Sequence, residues 1–160
     1  MFRIVSFAAI VLVASGSAFA NPVVDEDTVR AISAEMVEAA EKGDASIIEK
    51  YYYPGSKIVV DMDPADNVGE TEVDYADFLM LAEMGMASMA GADIDVKITD
   101  VQVDKSRNEA TIEEHATIVA EMMGVKVAEV SVTETRFGVV NGEIKVLASD
   151  NRLISIDAVQ

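Results

Sequence analysis

The sequence predicts an α+β domain in which three N-terminal helices pack on a strongly curved, mostly antiparallel sheet. Apolar residues first recur with the 3.6-residue period of helices, and from Ile94 onward they alternate with the period of two that strands show. Asn141-Gly142, a strong two-residue hairpin signal, joins two of the later alternating segments. Because the helices come first and the strands follow as a meander, we expect the helices on one face of the sheet.

Three segments have helical spacing. Asp25-Glu26-Asp27 places acids in the first turn, where the helix dipole favours them, and Gly43 ends this helix. The second helix stops before Pro54-Gly55, and the third covers residues 73–90 and stops at Gly91. Their apolar faces are Val29, Ile32, Met36, Val37 and Ala40 in the first, Ile47, Ile48 and Tyr51 in the second, and Tyr75, Phe78, Leu79, Ala82, Met86 and Met89 in the third.

The strands are predicted over residues 57–61, 94–103, 109–123, 125–140 and 143–156. Turn-forming residues at 63–67 predict a loop after the first of these strands. The alternation changes phase within the second strand, which predicts a β-bulge near Thr99 and Asp100. The sequence contains no internal repeat, low-complexity tract or linker, so one domain is expected over residues 21–160.

Residues 1–20 have the pattern of a secretory signal peptide. Arg3 precedes an apolar run over residues 4–14, and Ala18 and Ala20 form a small-x-small ending. The run is too short to span a bilayer, which needs about 20 residues. We expect cleavage after Ala20, a periplasmic or secreted location, and no membrane association of the mature chain.

Composition narrows the partners and the chemistry. The net charge of −17 disfavours binding to nucleic acid and to anionic lipid surfaces. The absence of cysteine excludes disulfides, thiol catalysis and thiolate metal sites, and the single histidine, His115, makes a histidine-rich metal site hard to build. Asp61, Asp63 and Glu72 have part of a calcium-loop spacing, but Asp66 stands where the turn needs glycine. We therefore expect neither a metal site nor a cofactor.

Three local features, in this order along the chain, carry a family resemblance. They are the helix break at residues 41–45 with the Ile-Ile-Glu-Lys-Tyr-Tyr-Tyr-Pro run over 47–54, the Asn-Val-Gly-Glu passage at 67–70 into an acidic helix, and the final strand pair at 135–137 and 141–146. In this order they resemble the NTF2-like superfamily, in particular its SnoaL-like and ketosteroid-isomerase-like members. The resemblance implies a cone-shaped domain with an apolar pocket at its open end, and a homodimer formed through the sheet.

The resemblance also allows the sequence to be checked for the catalytic residues of an isomerase. The steroid-isomerase members use a tyrosine on the first helix, an aspartate near the end of the first strand and an aspartate on a late strand. These positions fall near Met36, near Asp61 or Asp63, and near Glu134. Because methionine cannot donate the phenolic hydrogen bond, the set is incomplete and isomerase activity is not carried over.

Glu114 is the most interesting carboxyl group in the sequence. It shares the apolar face of its strand with Ile112 and Ile118, where a carboxylate is costly unless it is paired or protonated. A bulge would exchange it with His115, so one of the two residues faces the pocket. Alternatively, Glu114 reaches water at a strand-end or bulge position, or it pairs with an arginine. For Glu134 and Arg136, which share a face of the next strand, the hypothesis is a buried charge network with Glu114 or with each other.

Three functions remain open after this reading. The first is binding of a small apolar or amphipathic molecule in the conical pocket. The second is an isomerase, dehydratase or cyclase with Glu114 or Asp61 as general base, and the third is a dimeric interaction module. The candidate catalytic residues are Glu114, Asp61, Glu134 and His115. The expected ligand-binding residues are Tyr51, Phe78, Met84, Met89, Glu114, Ile118, Val132 and Arg136.

Overall fold

The computed structural model describes residues 21–61, 70–122 and 124–159. It confirms the α+β architecture and the predicted order of helices and later strands. The predicted leader at 1–20 and the loop predicted at 63–67 lie outside the described residues. The elements are α1 (Glu26–Lys42), α2 (Ser46–Tyr51), β1 (Lys57–Asp61), β2 (Thr71–Val73), α3 (Tyr75–Met89), β3 (Asp93–Asp104), β4 (Glu109–Met122), β5 (Val125–Val140) and β6 (Glu143–Ala158).

The strands form one six-stranded sheet in the order β2-β1-β6-β5-β4-β3. Every pairing is antiparallel except that of β1 with β6, which is parallel. The bulge predicted near Thr99 and Asp100 is confirmed, since the β3–β4 register shifts between Ile98 and Asp100. Two further shifts, in the β5–β6 pairing at residues 130/131 and 136/137, were not predicted.

The start of the third helix differs from the prediction. Val73 ends β2, where it pairs with Ile58 of β1, and the helix begins at Tyr75. Asp74 sets this boundary because its carboxylate accepts a hydrogen bond from the backbone N–H of Asp77 at 2.9 Å. The acidic start of α1 works in the same way, with Asp25 accepting from the N–H of Thr28 at 2.9 Å.

The core lies where the helices cover the concave face of the sheet near the β5–β6 hairpin. Ile112, Phe137 and Val146 are between 0% and 1% exposed there, and Val29 and Ile32 of α1 are buried with them. We call this part of the molecule the closed end. Within the described residues, no helix is long and apolar enough to cross a bilayer.

The first described residues are fastened to the turn between β3 and β4. The N–H of Val24 donates to Oδ1 of Asn108 at 2.8 Å, and Nδ2 of Asn108 donates to the carbonyl of Pro22 at 2.8 Å. Asn108 has φ +55°, a left-handed conformation that asparagine tolerates better than most residues. Val24 is 2% exposed, so this clamp seals the closed end.

Candidate functional site

A row of cross-strand neighbours crosses the concave face immediately beyond the closed end. Residues directly opposite each other on paired strands share a face, and the pairings link the five strands β3, β4, β5, β6 and β1. Every member is half-buried, whereas the next row toward the closed end contains the buried residues Ile112, Thr135, Ser149 and Ile58. We call this set the concave row; it consists of Ile98, Glu114, Thr133, Asn151 and Val60.

Glu114 is the carboxyl group of the concave row. The hydroxyl of Ser33, a buried residue of α1, donates a hydrogen bond to Oε1 of Glu114. Burial raises the pKa of Glu114, and the Ser33 hydrogen bond lowers it by a smaller amount. The carboxyl group therefore retains its proton to a higher pH than a free glutamate does.

Tyr52 interacts electrostatically with this carboxyl, and its ring packs against Phe78. The rings of Tyr52 and Phe78 lie against each other with centroids 4.7 Å apart and a tilt of 45°. Burial raises the pKa of the Tyr52 hydroxyl, the Glu114 charge raises it further, and a hydrogen bond with Ser149 lowers it. The phenol of Tyr52 and the Glu114 carboxyl are thus coupled electrostatically across the concave side.

Asn151 and Thr133 form a neutral polar pair in the same row. Nδ2 of Asn151 donates to Oγ1 of Thr133 at 2.8 Å. This bond uses one of the two N–H groups of the amide and one lone pair of the hydroxyl, so the pair has further donor and acceptor capacity. The concave row, all five of whose members are described, contains no lysine or arginine. It therefore suits an uncharged hydrogen-bonding group better than an anion.

The predicted alternative for Glu114 and His115 is resolved by the register. Glu114 faces the concave side opposite Thr133, and His115 faces the convex side opposite Val132. His115 is exposed, with Nε2 3.4 Å from Oε1 of Glu113. His115 therefore lies on the opposite face of the sheet from the site around Glu114.

The prediction that Val132 and Arg136 line the pocket is wrong. Both lie on the convex face, since Val132 is opposite His115 and Arg136 is opposite Thr111. Glu134 shares that face, so the expected charge network with Glu114 does not form. The physical reason is that the inward positions of β5 near Glu114 are polar, namely Ser131, Thr133 and Thr135, while Val130 and Val132 face outward.

Three other predicted site residues lie away from Glu114. Met84 is 67% exposed on the outer side of α3, which contradicts its predicted place in the pocket. The Tyr51 hydroxyl donates to Oε2 of Glu35 at 2.5 Å, and its ring lines a separate cavity of about 560 Å³ next to the β5–β6 hairpin. Asp61 lies opposite Arg152 on the convex side of β1, because Val60 takes the inward position. None of the three is placed to contact a molecule bound at Glu114.

The remaining predicted residues do lie on the concave side. Phe78 and Met89 are half-buried and pack against the core from α3, and Ile118 faces inward four residues beyond Glu114 on β4. The sequence reading missed Ser33, although a serine within the apolar stripe of α1 is a recognisable signal. It also missed the polar residues that occupy alternate positions along β5 and β6, although this alternation was a recognisable signal. They are Ser131, Thr133, Thr135, Ser149 and Asn151.

Proteins from several bacteria have solved structures with the same architecture. A conserved protein from Planctomyces limnophilus is 14% identical, with a TM-score of 0.65 over 84% of this chain and 98% of that one. An NTF2-like protein with a cystatin-like fold from Novosphingobium aromaticivorans is 18% identical, with a TM-score of 0.62 over 82% of each chain. This chain has the NTF2-like fold.

A third similar structure is an enzyme. The hexachlorocyclohexane dehydrochlorinase LinA-type3 from Novosphingobium barchaimii is 7% identical to this chain, with a TM-score of 0.59 over 83% of this chain and 88% of that one. The NTF2-like fold is thus common to that enzyme and to proteins of unknown function, such as one from Shewanella oneidensis. No protein-family model matches the sequence. No curated protein matches it either.

Proposed function

We propose that this NTF2-like protein binds a small apolar or amphipathic molecule on its concave side. The observation that supports the proposal is the half-buried concave row, in which a carboxyl group and a neutral amide–hydroxyl pair face inward beside apolar residues. Ligand pockets commonly combine apolar walls with a few convergent polar groups of this type. Glu114, Thr133 and Asn151 fix the polar end of the ligand, and Phe78, Met89 and Ile118 contact its apolar part.

Catalysis is the second candidate. The observation that favours it is the raised pKa of Glu114, since a general base works best when its pKa lies closer to the working pH. One fold neighbour is a dehydrochlorinase, which gives the enzyme hypothesis a precedent on this architecture. Ser33 would orient the carboxylate, and the tyrosine hydroxyl at Tyr52 would lie close to the reacting centre.

Native mass spectrometry of protein purified under mild conditions tests the binding proposal first. Wild type and Glu134→Gln, which changes a carboxylate on the convex face, are expected to retain the same small-molecule adduct. Glu114→Gln combined with Thr133→Val removes polar groups of the site and is expected to lose it. An adduct that persists unchanged in the double variant contradicts the proposal.

A neutral fluorescent probe then tests whether the concave side binds an apolar molecule. Nile red is expected to bind wild type with an increase in emission, and Ile118→Lys is expected to weaken this binding about tenfold by placing a cation in the apolar wall. Lys126→Ile, at an exposed position of β5, serves as the control for surface changes. Equal affinities of wild type and Ile118→Lys contradict a probe site at Ile118.

We also propose that the convex face forms a homodimer. Val130 and Val132 of β5 lie there next to Thr117 of β4, and an apolar strip at the middle of a sheet is suited to self-association. Light scattering after size-exclusion chromatography should give twice the chain mass for wild type and the chain mass for Val132→Glu. A monomeric wild type at high micromolar concentration overturns this proposal.

Export is the remaining proposal, and it rests on the signal-like pattern of residues 1–20. Expression of the full sequence in a bacterium with a periplasm is expected to give a periplasmic protein whose N-terminal residue is Asn21. A cytoplasmic protein that keeps its first residues contradicts it.

A further inference from the structure

The two edges of the sheet differ strongly in length. On one side the sheet ends with β2, which has three residues, and on the other it ends with β3, which has twelve. An edge strand leaves a row of backbone N–H and C=O groups available to another strand. Within the part of the chain that the structure describes, β3 pairs with β4 alone, so its outer edge is long enough to accept a partner strand.

A cleft of about 430 Å³ lies between this edge strand and α1. Its floor is apolar, because Ile94, Val96 and Ile98 of β3 point toward the helix and meet Val37. Ala34 is exposed at the helix side of the cleft, where its small side chain leaves room. The three β3 residues alternate along the strand, so the cleft has the spacing that successive side chains of an added strand require.

The charges around the cleft are acidic. Glu38, Glu41 and Asp95 line it, against one cation, Arg30, which is itself paired with Glu26 at 2.8 Å. Glu38 and Asp95 make ion pairs with lysines at exposed positions, and such pairs are weak enough to be exchanged for a partner's charges. The cleft therefore attracts a cationic segment.

A second copy of the same strand is a poor occupant. β3 carries Asp93, Asp95, Asp100 and Asp104 against a single lysine, Lys97. Pairing two copies edge to edge would bring two acidic strands together, and like charges on neighbouring strands are destabilising. A strand with lysine or arginine at alternate positions would instead meet opposite charges.

From these observations we propose that the α1–β3 cleft binds an extended cationic peptide segment of a partner protein. The segment adds to the sheet as a seventh strand beside β3. Its backbone pairs with the outer edge of β3 and its apolar side chains occupy the cleft above Ile94, Val96 and Ile98. Its cations, which alternate with them, lie on the other face beside Asp93 and Asp95 of β3. The cleft adjoins the concave row, because Ile98 belongs to both, and Ser33, which lines the cleft, donates a hydrogen bond to Glu114.

A labelled seven-residue peptide that alternates lysine and valine is the probe. In fluorescence anisotropy at physiological salt it is expected to bind the full chain, while a glutamate–valine peptide of the same length is not. Amide hydrogen exchange at residues 93–98 is expected to slow when the peptide binds, with no change at β2. Equal binding of both peptides, or unchanged exchange in β3, overturns the proposal.

Two matched substitutions on α1 locate the peptide. Ala34→Gln fills the cleft and is expected to weaken binding at least about tenfold. Ala31→Gln changes another exposed alanine of the same helix that does not line the cleft, and is expected to leave the affinity within about twofold. Equal losses in the two variants overturn the proposed location.

The backbone contribution is tested with the peptide itself. Methylation of alternate backbone nitrogens on the pairing edge removes its donors, so the methylated peptide is expected not to bind. Binding with unchanged affinity shows that no strand is added and overturns the proposal. Ala34→Gln, which changes no residue of the concave row, is expected to keep the small-molecule adduct while it loses the peptide, so failure of the small-molecule proposal and failure of this one are separable.

Discussion

Two neighbouring rows of side chains cross the sheet, one on each face, and they carry charge very differently. The concave row has one carboxyl group, Glu114, and its burial raises the pKa of that group. The adjacent row on the convex face contains four acids in successive strands, Asp100, Glu113, Glu134 and Asp150. Asp100 and Glu134 are exposed, and Glu113 accepts a hydrogen bond from Thr99 at 2.6 Å, whereas the half-buried Glu114 accepts one from Ser33. The comparison shows that access to solvent, more than the number of charges, determines the cost of a carboxyl row.

A substitution at the buried closed end, next to the concave row, is expected to have the largest effect on the free energy of unfolding. Phe137→Ala removes a buried ring at the closed end and should reduce the free energy of unfolding by about 3–5 kcal/mol in urea denaturation. Ile156→Ala, at a residue that is 55% exposed on β6, is the control and should change it by less than about 0.5 kcal/mol. A loss below about 1 kcal/mol for Phe137→Ala would show that the closed end does not support the row.

A second carboxylate in the concave row is expected to be costly. Asn151→Asp removes the donor to Thr133 and adds a charge near Glu114, so it should reduce the free energy of unfolding at pH 7 by roughly 2 kcal/mol. Asn141→Asp makes the same change at the exposed β5–β6 turn and should have little effect. Equal effects of the two substitutions would break the comparison between the faces.

Removing the charge of Glu114 is expected to stabilise the protein in a pH-dependent way. A carboxyl whose pKa is raised in the folded state costs stability as pH rises through that pKa, and costs none at a pH below the unfolded value. Glu114→Gln should therefore increase the free energy of unfolding by roughly 1 kcal/mol at pH 7 and bring no gain near pH 4. A gain that is the same at both pH values contradicts this interpretation.

Removing one charge from the row of four acids on the convex face is expected to have the smallest effect on the free energy of unfolding. Glu134 lies between Glu113 and Asp150, so Glu134→Gln should raise the free energy of unfolding by a few tenths of a kcal/mol at low salt. In 1 M NaCl, where the Debye length is about 3 Å, the gain should disappear. A gain that persists at high salt would show that repulsion between the acids is not its cause.

The elements were predictable because their signals are local. The acidic helix start at residues 25–27, the helix end at Gly43, the Asn141-Gly142 turn and the phase change before Asp100 are each predicted from a few adjacent residues. Each corresponds to an observed boundary or bulge. β2 was not predictable in this way. It has three residues and exists because β1 offers it an edge, a contact that no local pattern contains.

The candidate site was predictable in part. Glu114 stood out because a carboxyl on an apolar strand face is costly, and the structure places it inward as its parity indicated. The partner strand was misread because apolar residues were assumed to face inward, whereas Val130 and Val132 face outward. Which residues of β5 face the concave side of the sheet depends on its register with β4. That register is set at the closed end, where Phe137 pairs with Ala110.

The clamp on the first described residues has a consequence for folding kinetics. The N–H of Val24 donates to Asn108, which lies 84 positions later in the chain, and Ser56 donates to the carbonyl of Val146, 90 positions later. The parallel pairing of β1 with β6 has the same long reach. A nascent chain that has emerged through β3 therefore lacks Asn108, the partner of its first described residues, and β6, the parallel partner of its first strand, although β2 is present. High contact order of this kind predicts slow folding, on the scale of milliseconds to seconds. The N-terminal half stays incomplete until the last strand has been synthesised.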